Sequence, residues 1–183
     1  MSFTITRRIG IDAGHRIAAH RSKCLHLHGH RYTVEATCRA AGLRASGEQT
    51  DMVLDFGFLK HEMVRCIDTP CDHGLILSID DTEILSLFCP DGQAFGAWHA
   101  ALSGEVAAHG YAGTAACRFG QKLYVIAQKP TAECLARHWF EVLAPAVRDR
   151  SERHAELIEV KVEETPNCWA TFAAPTVGTT RLV

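Results

Sequence analysis

The run Cys24-Leu25-His26-Leu27-His28-Gly29-His30, with His15 upstream, gathers a thiol and several imidazoles within a few residues. Neutral imidazole and thiolate are the side chains that bind zinc well. In an extended strand, residues two apart face the same side, so His28 and His30 converge with a glycine between them. Gly29 leaves the opposite face open to close approach by other backbone or by a ligand. With His15 there are three imidazoles, the ligand count of a catalytic zinc site whose fourth position stays open. The competing reading is a histidine-rich surface strand that holds no metal. His26 shares the strand face by alternation, although a three-ligand site does not require it.

Two further groups can complete an active site. Asp72-His73 sets a carboxylate beside an imidazole, which can orient the ring and stabilise its charged form for proton transfer. The plainer reading of that dipeptide is a turn in which the aspartate caps backbone amides. Glu163-Glu164-Thr165 closes an alternating run just before Pro166. A carboxylate there can accept two parallel hydrogen bonds from a ring that presents an N–H and an exocyclic amine, as pterins and guanines do. A solvated acidic turn is the alternative.

The elements that must position these residues are partly legible. Residues 3–11 alternate as a strand, and residues 25–39 read as a longer one in which Tyr32, Val34, Ala36 and Cys38 continue the face of His28 and His30. Residues 41–51, with Gly42 and Gly47, predict a hairpin connection to a strand at Met52–Asp55. Phe56, Leu59, Met63 and Ile67 recur at helical spacing, in a helix expected to stop before Pro70. Thr131 is a good N-cap for a second helix, and Glu133 in its first turn complements the helix dipole. Its apolar stripe is Leu135, Trp139, Val142, Leu143 and Ala146. Strands at 156–165 and about 168–174 close the chain. Residues 91–109 fit a helix weakened by glycines, and 122–127 a short strand. The sum is an α+β domain, an antiparallel sheet with two helices on one face. Its exposed edges and uncovered face make oligomerisation a natural expectation.

The chain of 183 residues is expected to form a single domain over 1–183. Charged residues make up 22% and apolar ones 47%, and the net charge is −2, so neither nucleic acid nor an anionic membrane surface is implied. The N-terminus lacks the apolar core of a signal peptide, and no stretch has the length of a membrane span, so a cytoplasmic location is expected. Cys38, Cys66, Cys71, Cys89, Cys117, Cys134 and Cys168 lie in apolar stretches with no CxxC pair, as reduced structural cysteines do. Cys24 stands apart from them.

Together these segments resemble the 6-pyruvoyl-tetrahydropterin synthase family, and within it the 6-carboxytetrahydropterin synthases of queuosine biosynthesis. The resemblance rests on Asp12-Ala13-Gly14-His15, Cys24-x3-His28-Gly29-His30, Met52-Val53-Leu54-Asp55-Phe56-x2-Leu59-Lys60, Asp72-His73, Pro130-Thr131-Ala132-Glu133 and Val160-Lys161-Val162-Glu163-Glu164-Thr165-Pro166. It leaves out residues 78–120, which are longer than in the compact bacterial enzymes and read as an insertion.

The resemblance implies the tunnelling fold, whose trimers close a β-barrel and stack as a homohexamer with sites at subunit interfaces. It implies zinc on His15, His28 and His30, and catalysis by Cys24, Asp72 and His73. Glu164, rather than Glu163, matches the pterin-anchoring glutamate, with Thr131 and Glu133 in a second pocket segment. The implied substrate is 7,8-dihydroneopterin triphosphate. The three-residue gap between Cys24 and His28 resembles the carboxy-forming branch, which releases triphosphate and acetaldehyde. A biopterin-type synthase that stops at triphosphate elimination is the nearest alternative. A non-catalytic zinc-binding module, with Cys24 as a fourth ligand, is the alternative of another class.

Overall fold

The computed structural model describes residues 2–174. Its centre is a long antiparallel hairpin, β1 (Phe3–His15) and β2 (His28–Ala40), paired from Phe3↔Ala40 to His15↔His28. Ile9, Ile11 and Ala13 of β1, with Tyr32, Val34, Ala36 and Cys38 of β2, are buried on one face, as period-two patterning requires. β6 (Glu156–Thr165) joins β2 antiparallel, and β7 (Cys168–Ala173) joins β6. A bulge opposite Thr37/Cys38 shifts β6 by one residue, so Val160 and Val162 face the core while Leu157 does too. Glu164 continues the Val160–Val162 face.

The sheet departs from the expected all-antiparallel form. β3 (Gly74–Ser78) runs parallel to β1, and β5 (Leu123–Ile126) parallel to β3; β4 (Tyr111–Thr114) closes that edge antiparallel to β5. The full order is β4-β5-β3-β1-β2-β6-β7. Parallel neighbours need crossovers, and helical segments supply them. One crossover is α1 (Phe56–Met63), continued by a π turn at Val64–Asp68 and the short α2 (Thr69–Cys71).

That helix does not stop before Pro70. The π turn bonds the Thr69 N–H to the Val64 carbonyl and starts a fresh helical turn, and Pro70 sits at its beginning, where no amide proton is needed. Nor do residues 52–55 form a strand. Arg44 N–H bonds the Met52 carbonyl, Asp51 N–H bonds the Arg44 carbonyl, and Asp55 N–H bonds Gln49 Oε1, so local bonds consume the loop's backbone groups. Asp55 then caps α1 by accepting from Phe58 N–H at 2.9 Å.

α5 (Ala132–Arg150) starts where expected, with the Thr131 hydroxyl accepting from Cys134 N–H. Its Leu135, Trp139, Leu143 and Val147 meet Leu59 and Met63 of α1 over the buried face of β1, β2 and β6. Full burial of such side chains contributes about 1.5–3 kcal/mol each.

Residues 78–120 form α3 (Thr82–Phe88), α4 (Phe95–His109) and β4. They build a second apolar cluster: Leu85, Phe88, Trp98, Leu102 and Val106 pack on Leu77, Leu123 and Val125. Ile76, Tyr124 and Ile126 belong instead to the first cluster. Alternate residues of β3 and β5 thus enter different cores, so helices cover both faces at this end, beyond the two helices expected on one face. Over β1 and β2 the opposite face stays polar, with Arg8–Glu35 and Arg31–Asp12 ion pairs. No helix of the described residues is long and apolar enough to cross a membrane.

Candidate metal centre and active site

The register of β1 on β2 builds the imidazole cluster. His15 lies directly opposite His28, and His30 is two residues further along the same face, opposite Ala13. The cross-strand approach needs Gly29, where a Cβ would stand 3.0 Å from the Ala13 carbonyl oxygen. One ligand nitrogen from each ring falls within 4.8 Å of the others, a group that could hold a metal ion. Cys24 and His26 are not part of that group.

Hydrogen bonds at the far side of two rings decide their tautomers. His15 Nδ1 donates to the Pro130 carbonyl at 2.8 Å, and His28 Nδ1 donates to the His26 carbonyl at 2.7 Å. A carbonyl only accepts, so each neutral ring presents a bare Nε2, and the two Nε2 atoms stand 3.2 Å apart. Two facing lone pairs repel unless a cation lies between them. Burial pushes the His15 ring down to about 4, with the neighbouring His28 and His30 adding to the effect, so His15 itself stays neutral. A tetrahedral ion with Zn–N of about 2.0–2.1 Å sets its nitrogens about 3.3 Å apart. The donor set therefore fits a divalent ion, and the carbonyl partners are the outer-shell bonds that orient metal-ligating histidines.

Glu164 Oε1 is 4.0 Å from His15 Nε2, on the same face, whereas Glu163 turns away and pairs with Lys161. Burial, then Glu133, pushes the Glu164 carboxyl above the ordinary range, so Glu133 lies within its field. Thr131 caps α5, next to the Pro130 carbonyl that holds His15. Cys24 sits half-buried on a 3-10 turn, Lys23–Leu25, with its carbonyl bonded to Ile17 N–H at 2.8 Å.

Asp72 makes two contacts at once, one to the His73 ring and one to a backbone amide. Asp72 Oδ2 accepts from His73 Nδ1 at 2.7 Å, while its Oδ1 caps Asp12 N–H at 2.8 Å. That backbone bond, first among the causes, holds the Asp72 carboxyl below its usual range and therefore ionised. His73 has a left-handed φ of 56° and an N–H bonded to the Asp12 carbonyl. Lys122 Nζ donates to the carbonyls of Asp72 and Thr69, at 2.7 and 3.1 Å, and so anchors the turn. The His73 ring is 79% exposed and does not belong to the imidazole group.

Several contributors escape sequence reasoning. The Pro130 and His26 carbonyls are backbone groups and leave no side-chain signal. Lys122 acts across 50 residues. Arg16, next to His15, bonds the buried carboxylate of Asp81 with two nitrogens, at 2.6 and 2.7 Å, and so ties the cluster's strand to residues 78–120. Tyr32 alone was signalled, as the next member of the His28–His30 face.

The 6-pyruvoyl tetrahydropterin synthase family model matches residues 4–175. A Rickettsia bellii protein named 6-carboxy-5,6,7,8-tetrahydropterin synthase is 35% identical over 164 residues, covering 90% of this chain and 95% of that protein. Among solved structures, an uncharacterised Wolinella succinogenes protein superposes with a TM-score of 0.67 at 21% identity, covering 94% of this chain and 98% of that one. Plasmodium vivax 6-pyruvoyltetrahydropterin synthase superposes with a TM-score of 0.58 at 18% identity, over 95% and 98% of the two chains. Since the family model spans nearly the whole chain and a relative at 35% identity is covered almost end to end, the chain belongs to the 6-pyruvoyl tetrahydropterin synthase family.

Proposed function

We propose that the chain is a zinc-dependent lyase that converts 7,8-dihydroneopterin triphosphate to 6-carboxy-5,6,7,8-tetrahydropterin, with loss of triphosphate and acetaldehyde. The observation that carries this reading is the pair of bare Nε2 atoms on His15 and His28, 3.2 Å apart, with Cys24 outside the ligand group and Glu164 beside it. Relatives named as 6-carboxytetrahydropterin synthases support the carboxy branch. So does the short Cys24-x3-His28 spacing.

His15, His28 and His30 would hold a divalent ion, which would supply Lewis-acid stabilisation of negative charge on the substrate. The chain's own residues then have distinct tasks. Cys24 takes a proton from carbon, and His73, hydrogen-bonded to Asp72, returns one. Glu164 accepts the pterin's N–H edge and fixes the ring, with Thr131 and Glu133 lining the neighbouring segment. With the His73 ring largely exposed, Asp72–His73 of one copy serves the site of another. That arrangement suits a homohexamer of two barrel-closing trimers, in which each chain is a single tunnelling-fold domain. The enzyme works in the cytoplasm and feeds queuosine synthesis.

Product analysis after incubation with 7,8-dihydroneopterin triphosphate tests the reaction. Acetaldehyde with a carboxylated pterin is the expected outcome; a pyruvoyl pterin without acetaldehyde would move the chain to the biopterin-type reaction.

Glu164→Ala is expected to weaken pterin binding about 10- to 100-fold, the worth of a charge-assisted bidentate contact, at unchanged zinc content. Equilibrium fluorescence titration with neopterin reads the affinity. Wild-type affinity in that variant would shift the anchor to Glu163 or elsewhere.

A further inference from the structure

The loop that joins β1 to β2 carries Cys24, and its charge is one-sided. From Ala13 to Val34 the sequence has no aspartate or glutamate, yet it holds Arg16, Arg21, Lys23 and Arg31. Two of these cations are spent: Arg16 on Asp81 and Glu83, and Arg31 on Asp12. Arg21 and Lys23 are exposed, and neither has a carboxylate partner among the described residues. Elsewhere the chain pairs its arginines, as at Arg8, Arg39, Arg65, Arg118, Arg137 and Arg150.

Backbone bonds hold this loop in a defined shape. Ile17 N–H bonds the Cys24 carbonyl at 2.8 Å, and His20 N–H bonds the Ile17 carbonyl at 3.1 Å. His20 Nδ1 accepts from Ser22 N–H at 3.2 Å, and Leu25 and His26 donate to the Ser22 and Lys23 carbonyls, both at 3.0 Å. Two unspent cations are thus carried at fixed backbone positions next to Cys24. A third lies at the same end of the sheet. Because β1, β3 and β5 run parallel, the segment after β5 leaves the sheet where the loop after β1 does. There Lys129 is exposed, also without a carboxylate partner, and precedes Pro130, whose carbonyl holds His15. The inner part of the site has the opposite sign, with Glu164 beside His15 and Glu133 in the first turn of α5. A ligand that fits this division presents N–H donors at one end and concentrated negative charge at the other.

We infer that Arg21 and Lys23 form a polyphosphate-binding rim, which receives the triphosphate of the substrate while Glu164 holds its ring; Lys129 flanks it. The assignment rests on the pterin reading given above and adds a subsite to it. The Arg21 guanidinium offers paired N–H donors that match two phosphate oxygens, and the Lys23 ammonium adds a point charge. Both are positioning residues, since neither handles a proton of the reaction.

Titrating the zinc-loaded protein with neopterin and with neopterin triphosphate isolates the share of the phosphates. Wild type is expected to bind the triphosphate about 10- to 100-fold more tightly than neopterin. The double variant Arg21→Gln/Lys23→Gln should lose most of that preference, while its neopterin affinity and zinc content stay at the wild-type level. Its KM for 7,8-dihydroneopterin triphosphate should rise by a similar factor, with kcat little changed. If the variant keeps the full preference, or if wild type binds neopterin but shows none, the inference falls while the pterin reading stands. If wild type neither binds neopterin nor turns over the triphosphate, the pterin reading falls and takes the inference with it.

Discussion

Replacing Cys24 by alanine is expected to lower turnover about 100- to 10,000-fold, the usual worth of a positioned proton-transfer group, while zinc content stays at the wild-type level. The turn Lys23–Leu25 that carries the thiol is held by its backbone, through the bond from Ile17 N–H to the Cys24 carbonyl, so truncating the side chain leaves the turn in place. Sulfur is also absent from the group of ligand atoms formed by His15, His28 and His30. A closed, four-coordinate structural zinc would behave in the opposite way, because there the thiolate is a ligand and its loss releases the ion. Elemental analysis of the purified variant beside a turnover assay separates the two. Metal lost with the sulfur would make the site structural, and full activity would remove the thiol from the chemistry.

Much of this site is legible because its geometry follows from local periodicity. His28 and His30 share a face by alternation, and a long hairpin with His15 at its end brings the third ring opposite them. Thr131 and Glu133 mark the start of α5 by capping chemistry that operates within a single turn. The parts that stay hidden depend on long-range partners. The parallel pairing of β3 and β5 has a local trace, the near-continuous apolar runs Leu75-Ile76-Leu77 and Leu123-Tyr124-Val125-Ile126, which mark strands covered on both faces. Which helices would cover them depends on residues 78–120, whose glycines blur the helical period. The π turn that carries the helix past Pro70 has no compositional mark. Nor does the clamp of Arg16 on Asp81, since each residue alone reads as an ordinary surface charge.

That clamp gives the insertion a structural consequence at the site. Arg16 immediately follows His15, and its guanidinium is drawn off by Asp81 and Glu83 at the start of α3. Asp81 also caps α3 through Ile84 N–H. The end of β1 is therefore fixed on one side by the Pro130 carbonyl under His15 and on the other by α3. The imidazole cluster is thus held from two directions by segments far apart in sequence, which limits how far His15 can retreat from His28.

A cluster so constrained should depend on every ring. His28→Ala is expected to weaken zinc binding by more than about 100-fold, since losing an outer-shell partner alone costs about 10- to 100-fold. The reason goes beyond the missing ligand. In the metal-free chain, two bare Nε2 atoms are forced to within 3.2 Å, and the carbonyls of Pro130 and His26 prevent either ring from turning its N–H inward. A zinc ion on the rings would relieve that repulsion in the wild-type chain, whereas in the variant there is none to relieve. Since an ion that binds only the folded state raises its stability in proportion to the logarithm of its excess over the dissociation constant, added zinc should raise the wild-type thermal midpoint markedly. It should leave the His28→Ala midpoint nearly unchanged. Melting both proteins with and without zinc after chelation reads the difference directly. Equal zinc-induced shifts would mean that the ion is held elsewhere and that the three rings are only a packed aromatic cluster.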